Sequence, residues 1–267
     1  MFIIDHHKMR TMAAVPPRSI TAADLCREGR AFFVGGTLPV RETLETMFES
    51  DCAASTDIFV VTMGGHESFR HGLEMVKLIK KNFSTRLMVR LDYPVQEQLC
   101  GQIYAAGADM ADIAGAVPEG KRPGHADDDS QWAFCRAARS AFPRWSVAST
   151  LTIDGHSSKQ QMRLADDLLQ MGIVPLPRLR WDGTAETEKE GCAVLNYLVK
   201  AWRQHKVPIK PFTPLIGIAS PLVQAEKPGA LRTLFDRLHD RRQLAASDLL
   251  RHLRVSPPTD SLDSAEL

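Results

Sequence analysis

Residues 57–94 read DIFVVTMGGHESFRHGLEMVKLIKKNFSTRLMVRLDYP, and this one stretch holds a strand, a glycine turn, a helix and a second strand. Asp57 to Met63 is an apolar, β-branched run that stops at Gly64-Gly65, with His66 and Glu67 directly after it. Phe69, Leu73, Val76, Leu78 and Ile79 then recur at helical spacing, and Arg86 to Leu91 resumes an apolar run bounded by Asp92 and Pro94. The pattern predicts a βαβ unit. A parallel sheet presents its ligand site at the carboxyl ends of its strands, so the turn Gly64-Gly65-His66-Glu67 falls where binding or chemistry is expected.

The same alternation continues on both sides. Ala31 to Gly36 (AFFVGG) reads as a first strand, followed by a helix over Val40 to Glu49 that begins after Pro39. After the opening unit come a helix over Val95 to Ala106 stopped by Gly107, a fourth strand over Ala108 to Gly115, and a helix over Asp129 to Phe142. Ser146 to Ile153 is a fifth strand, Ser158 to Met171 a helix closed by Gly172, and Ile173 to Trp181 a sixth strand. A long helix over Ala185 to His205 leads to Ile209 to Ile218, a possible seventh strand made irregular by Pro211 and Pro214, as Pro175 and Pro177 make the sixth. Alternations of similar length argue for one α/β domain. A complete eightfold barrel takes roughly 250 residues, so the expected fold is a partial, six- or seven-stranded, TIM-like (β/α) barrel, with a doubly wound open sheet as the alternative. The expected division is an N-terminal extension over 1–30, a barrel domain over 31–227, an amphipathic helical segment over 228–255 and a disordered tail over 256–267.

Composition narrows the classes further. The 267 residues are 44% hydrophobic, enough for a sizeable core, and no apolar run approaches the roughly 18 residues of a membrane span. The start MFIIDHHKMR has the wrong order of charge for a secretory signal, and five scattered cysteines (Cys26, Cys52, Cys100, Cys135, Cys192) fit a reducing cytoplasm. A net charge of +1 gives no electrostatic case for nucleic acid or an anionic membrane.

The run Val60-Val61-Thr62-Met63-Gly64-Gly65-His66-Glu67 resembles the second strand of radical S-adenosylmethionine proteins, whose GGE-type turn meets the amino group of that cofactor. Ala106-Gly107-Ala108-Asp109 with Ala111-Asp112-Ile113 is similar to the fourth-strand approach of that superfamily. Ser149 to Gly155, and Leu169 to Arg178 (LQMGIVPLPR), look like the fifth and sixth strands of its biotin synthase-like branch. The superfamily carries a CxxxCxxC loop after the first strand for a [4Fe-4S] cluster, whereas here only Gly36-Thr37-Leu38-Pro39 separate Gly35 from the helix at Val40. The resemblance therefore implies a scaffold with an S-adenosylmethionine-type pocket and without the cluster chemistry.

Several side chains are candidates for such a site. Gly64 and Gly65 either let a ligand approach the backbone or form a left-handed turn that ends the strand. His66 and Glu67 either orient an amine or metal, or cap the next helix. Arg90 and Asp92 close the third strand, Asp109 and Asp112 punctuate the fourth, Thr150, Thr152 and Asp154 line the fifth, and Arg178 and Arg180 the sixth. Alternate residues share a face, and polar side chains on buried strands are costly unless paired. Their convergence creates either a charged pocket for a small zwitterionic ligand or an internal salt-bridge network. The cofactor-binding set read from the chain is Gly64, Gly65, His66, Glu67, Arg90, Asp92, Thr152, Asp154 and Arg178. Asp5 with His6-His7, and Asp154 with His156, lack a recognised metal-site spacing. Asp127-Asp128-Asp129 reads as a solvated loop and helix start, and Cys52 and Cys100 as packed thiols. Leu231, Leu234, Phe235, Leu238, Leu244, Leu249, Leu250 and Leu253 give Pro228 to Val255 an apolar stripe for closing the barrel or docking a partner protein.

The functional expectation is a protein that binds S-adenosylmethionine or a related small metabolite and acts with, or within, a cofactor-assembly enzyme. The alternatives are a conventional barrel lyase or transferase, and a non-catalytic scaffold pseudoenzyme.

Overall fold

The computed structural model describes residues 2–15, 17–50, 52–114, 129–180 and 184–225, with 242, 245, 248, 249 and 251 beyond them. The chain divides into two compact units, Met1–Glu226 and Lys227–Leu267. In the second, Arg251 Nη1 donates to Asp248 Oδ1 at 2.6 Å. The rest of the expected helix over 228–255, the tail over 256–267 and the acidic loop at Asp127-Asp128 lie outside the described residues.

In the first unit the apolar runs of the sequence become β3 (Ala31–Gly35), β4 (Ile58–Met63), β5 (Arg86–Leu91), β6 (Met110–Asp112), β7 (Val147–Ile153) and β8 (Val174–Leu179). Between them lie α2 (Val40–Glu49), α3 (Phe69–Asn82), α4 (Glu97–Ala106), α5 (Asp129–Ala141) and α6 (Ser158–Gln170), with α7 (Ala185–Gln204) after β8. These six strands are parallel and lie side by side in chain order, while β2 (Leu25–Glu28) pairs antiparallel with β3 and completes a seven-stranded sheet. Every crossover steps in the same direction, so crossovers of one hand put their helices on one face and the sheet curls into half a barrel.

The register sorts the side chains into two faces. Phe32, Val34, Phe59, Val61, Met63, Leu87, Val89 and Leu91 point outward and pack with Met75, Val76 and Ile79 of α3 and Cys100 and Ile103 of α4. Ala31, Phe33, Ile58, Val60, Met88 and Met110 belong to a second cluster on the inner face. One polar clamp crosses the outer layer. Lys80 Nζ, on α3, lies 3.1 Å from both carboxylate oxygens of Asp109, and Asp109 Oδ2 also accepts from the Leu87 N–H at 2.9 Å. Asp109 thus faces away from the inner surface.

The sheet ends at β8 for a local reason. Arg180 N donates to Ile153 O at 2.9 Å, so the even-numbered residues of this strand turn their N–H groups toward β7. The odd-numbered Pro175 and Pro177 stand where an N–H would face the free edge, and they offer no donor to a further strand. The possible seventh strand over Ile209 to Ile218 is corrected accordingly: it forms a 3-10 turn at Lys210–Phe212 and then α8 (Thr213–Ala219), with proline in the opening turn of each. This helix packs against β8.

Residues 1–30 lie within the first unit. β1 (Phe2–Ile4) pairs antiparallel with β9 (Leu222–Gln224), and α1 (His6–Ala14) is capped by Asp5, whose carboxylate accepts from Lys8 N at 3.0 Å. The segment after α1 docks on the end of β3. Gly35 N donates to Asp24 O at 2.7 Å and Thr37 N to Ala22 O at 3.1 Å. A Cβ added at Gly35 would lie 2.2 Å from Ala22 O. Gly35→Ala should therefore force this segment off the sheet and cost about 1–3 kcal/mol of stability, the range for overpacking. Urea denaturation of the variant checks this, and an unchanged midpoint and slope would show that the segment yields freely.

Candidate functional site

On the inner face the register Gly35–Thr62–Arg90–Asp112 sets four residues of neighbouring strands in one row at the carboxyl ends. This end of the sheet opens on a cavity of about 70 Å³ that is continuous with solvent. Its floor is apolar, from Phe33, Val60, Met88 and Leu176, and Leu215, Ile218 and Ala219 of α8 form a second wall. Pro17, Arg18 and Ile20 of the N-terminal segment and Glu28 of β2 form a third. Into this space come the polar side chains of Arg90, Asp112, Thr150 and Arg178.

Asp112 is the most unusual of these. It is 5% exposed, and its Oδ1 is buried with no hydrogen-bond partner among the described residues. Burial pushes its carboxyl up to about 6, against the pull of Arg90 and Arg178 that favours the charged form. Among the described residues no ion pair joins it to either guanidinium within 4.0 Å. Arg90 Nε instead donates to Asp92 Oδ1 at 2.9 Å. Burial acts to lower the basicity of Arg90, but Asp112 and Asp92 together outweigh it and hold the guanidinium above its ordinary range. Arg178 is shifted the other way, first by burial and then by repulsion from Arg90 and Arg180. Thr62, next to Arg90 in the row, also has a buried hydroxyl without a partner among the described residues. Three charged groups therefore face one space without closing on one another.

The residues read from the sequence separate into groups. Arg90 and Arg178 line the cavity, Asp92 holds Arg90 from behind, and Thr152 pairs in register with Arg178 on the inner face without lining the cavity. Asp154 is consumed locally. Its Oδ1 accepts from His156 N at 2.9 Å, Ser157 N at 3.3 Å and Gln161 Nε2 at 2.6 Å, and these bonds lower its carboxyl below the ordinary range against the opposing effect of burial. Gly64, Gly65, His66 and Glu67 follow β4 outside the cavity lining. Neither glycine takes a positive φ, and Gly65 is extended at φ −177°, so the left-handed turn does not form here. The His66 ring meets Tyr93 edge-on at 4.6 Å, and α3 begins after Ser68 with no side-chain cap bond.

Among the polar cavity residues, Asp112 and Thr150 are strand candidates outside the cofactor-binding set, and Arg18 and Glu28 are not among the candidates read from the sequence. Thr150 shares its strand face with Thr152 by alternation, whereas the inward placement of Asp112 depends on the register of β6 against β5. Arg18 and Glu28 reach the site only through the docking of residues 17–28. Among the described residues no group of three His, Cys, Asp or Glu is placed to hold a metal ion, and no helix is long and apolar enough to cross a membrane.

No family model and no curated protein matches the chain. Among solved structures it is similar to that of Mycobacterium tuberculosis Rv1207, with 15% identity, a TM-score of 0.36 and coverage of 79% of this chain and 100% of that one.

Proposed function

We propose that the curled sheet is a partial TIM-like (β/α) barrel and that its inner cavity binds a small zwitterionic metabolite, with S-adenosylmethionine or a close relative as the ligand the sequence resemblance suggests. The observation that carries this is Asp112 Oδ1, a buried carboxylate oxygen without a donor among the described residues, in a cavity flanked by two arginines. A buried polar atom with no partner is costly in a folded protein, and such costs persist where a ligand repays them. An ammonium group or other N–H donor of the ligand supplies what Asp112 lacks. The aliphatic walls from Val60, Met88, Leu176, Leu215 and Ile218 accept the apolar body of the molecule. The residues fit the amino-acid end of S-adenosylmethionine in charge, and Phe33 is the aromatic face in the lining. The protein then acts as a ligand-binding component beside, or within, a cofactor-assembly enzyme.

Thermal unfolding of the whole chain with S-adenosylmethionine, S-adenosylhomocysteine and methionine tests this. A ligand at a hundredfold excess over its dissociation constant stabilises the fold by about 2.7 kcal/mol. S-adenosylmethionine is expected to raise the midpoint in proportion to the logarithm of its concentration. No shift with any of the three would remove this ligand class.

A further inference from the structure

Resting on the ligand-site reading above, we propose that the cavity contains a separate oxyanion subsite, built from Arg178 of β8 and from Arg18 and Ser19 of the N-terminal segment, which takes the carboxylate or phosphate end of the ligand. The cavity lining carries three guanidinium groups, on Arg18, Arg90 and Arg178, against two carboxylates, on Glu28 and Asp112.

The three arginines are not equivalent. Arg90 is held by Asp92, and Arg18 is paired with Asp24 at an exposed position. Arg178 forms no ion pair within 4.0 Å among the described residues, although it is half-buried and repelled by both Arg90 and Arg180. Its polar contact is a neutral one: Nη2 donates to Ser19 Oγ at 3.1 Å. Asp112 and Asp92 attract it only from beyond ion-pair distance, so this partly buried guanidinium, with one hydroxyl as its contact, has room for an anion of its own. The exposed Ser19 oxygen accepts from Arg178, so its own proton is left to donate to a second acceptor beside that guanidinium. Arg18, one residue earlier, lines the cavity and spends Nη2 on Asp24, so its remaining N–H groups are what it can offer a carboxylate or phosphate.

Ligand polarity follows from this placement. The donor end meets Asp112 at the end of β6, and the anionic end meets Arg178 and the N-terminal segment. That segment, held to the sheet at Gly35, becomes an element that determines specificity and not merely a cover.

The test uses the full chain and simple anions. Thermal unfolding is followed in sodium malonate and in sodium phosphate, each against sodium chloride of equal ionic strength, for wild type, Arg18→Gln, Ser19→Ala, Arg178→Gln and Arg178→Lys. Malonate or phosphate should raise the wild-type midpoint beyond chloride. Arg178→Gln should weaken the apparent affinity at least tenfold, with smaller losses in Arg18→Gln and Ser19→Ala. Arg178→Lys retains the charge and loses the fork, so a partial response in it supports the subsite even where the glutamine variant folds poorly. A response to malonate alone indicates a carboxylate ligand, and one to phosphate alone a phosphate ester. Asp112→Asn should keep the anion response whether or not it loses an amine-bearing ligand, so the two readings fail separately. Equal midpoints in all three salts, or a specific shift that persists in Arg178→Gln, would overturn the proposal.

Discussion

Asp109→Ala is expected to lower the stability of the protein by about 3–5 kcal/mol, the range for removing one partner of a buried ion pair. Asp109 and Lys80 have side chains only 7% and 15% exposed, and the carboxylate also receives the Leu87 N–H. Alanine leaves an ammonium in the packed layer between α3 and the sheet with its principal counter-charge gone. It also takes an acceptor from a backbone amide of β5. Urea denaturation followed by circular dichroism measures the loss, and Lys80→Met combined with Asp109→Leu should recover most of it, because an apolar pair of similar volume removes both charges together. A single variant within about 1 kcal/mol of wild type would mean that the clamp is solvated and contributes as little as a surface pair.

Asp112→Asn should have the opposite sign. The folded protein holds this carboxyl at about 6, against 3.8 for an ordinary aspartate. Between those values the folded chain keeps a proton that the unfolded chain has released, so stability falls as pH rises through that window and stays reduced above it. The shift corresponds to about 3 kcal/mol at 1.36 kcal/mol per pH unit. Asparagine keeps the shape without the titration. The difference between variant and wild type should therefore grow from pH 4 to pH 6 and level off at pH 7, with the variant the more stable by up to about that amount. Urea midpoints at several pH values read this directly. A difference that does not change with pH would show that Asp112 does not titrate in that window. A side chain whose charge destabilises its own fold is the usual sign of a residue kept for binding or chemistry.

The contrast between these two aspartates explains what the sequence could and could not reveal. Apolar runs and helical periodicity locate β3 to β8 and the intervening helices, because each is a local pattern repeated at short range. Arg90 and Arg178 were legible for the same reason: each closes an apolar strand. Asp109 and Asp112 are an odd number of residues apart and so must face opposite ways, but alternation does not say which one faces inward. That depends on the register of β6 against β5, a long-range property. Asp154 resembled a site residue by position, yet the adjacent backbone and Gln161 use its oxygens as a turn and helix start. Arg18 and Ser19 carry no local signal at all, since the close approach of Ala22 to Gly35 brings them to the cavity. The irregularity of Ile209 to Ile218 was visible in its prolines, but its resolution as a helix against the free edge of β8 required the three-dimensional packing.

The central claim, that a ligand's donor group meets Asp112 in the inner cavity, is tested most directly by calorimetric titration of S-adenosylmethionine into wild type and Asp112→Asn at pH 7.5. The expected result is one site per chain in wild type and at least a tenfold weaker affinity in the variant, equivalent to about 1.4 kcal/mol. Absence of binding to wild type, or equal affinity in the two proteins, would contradict it.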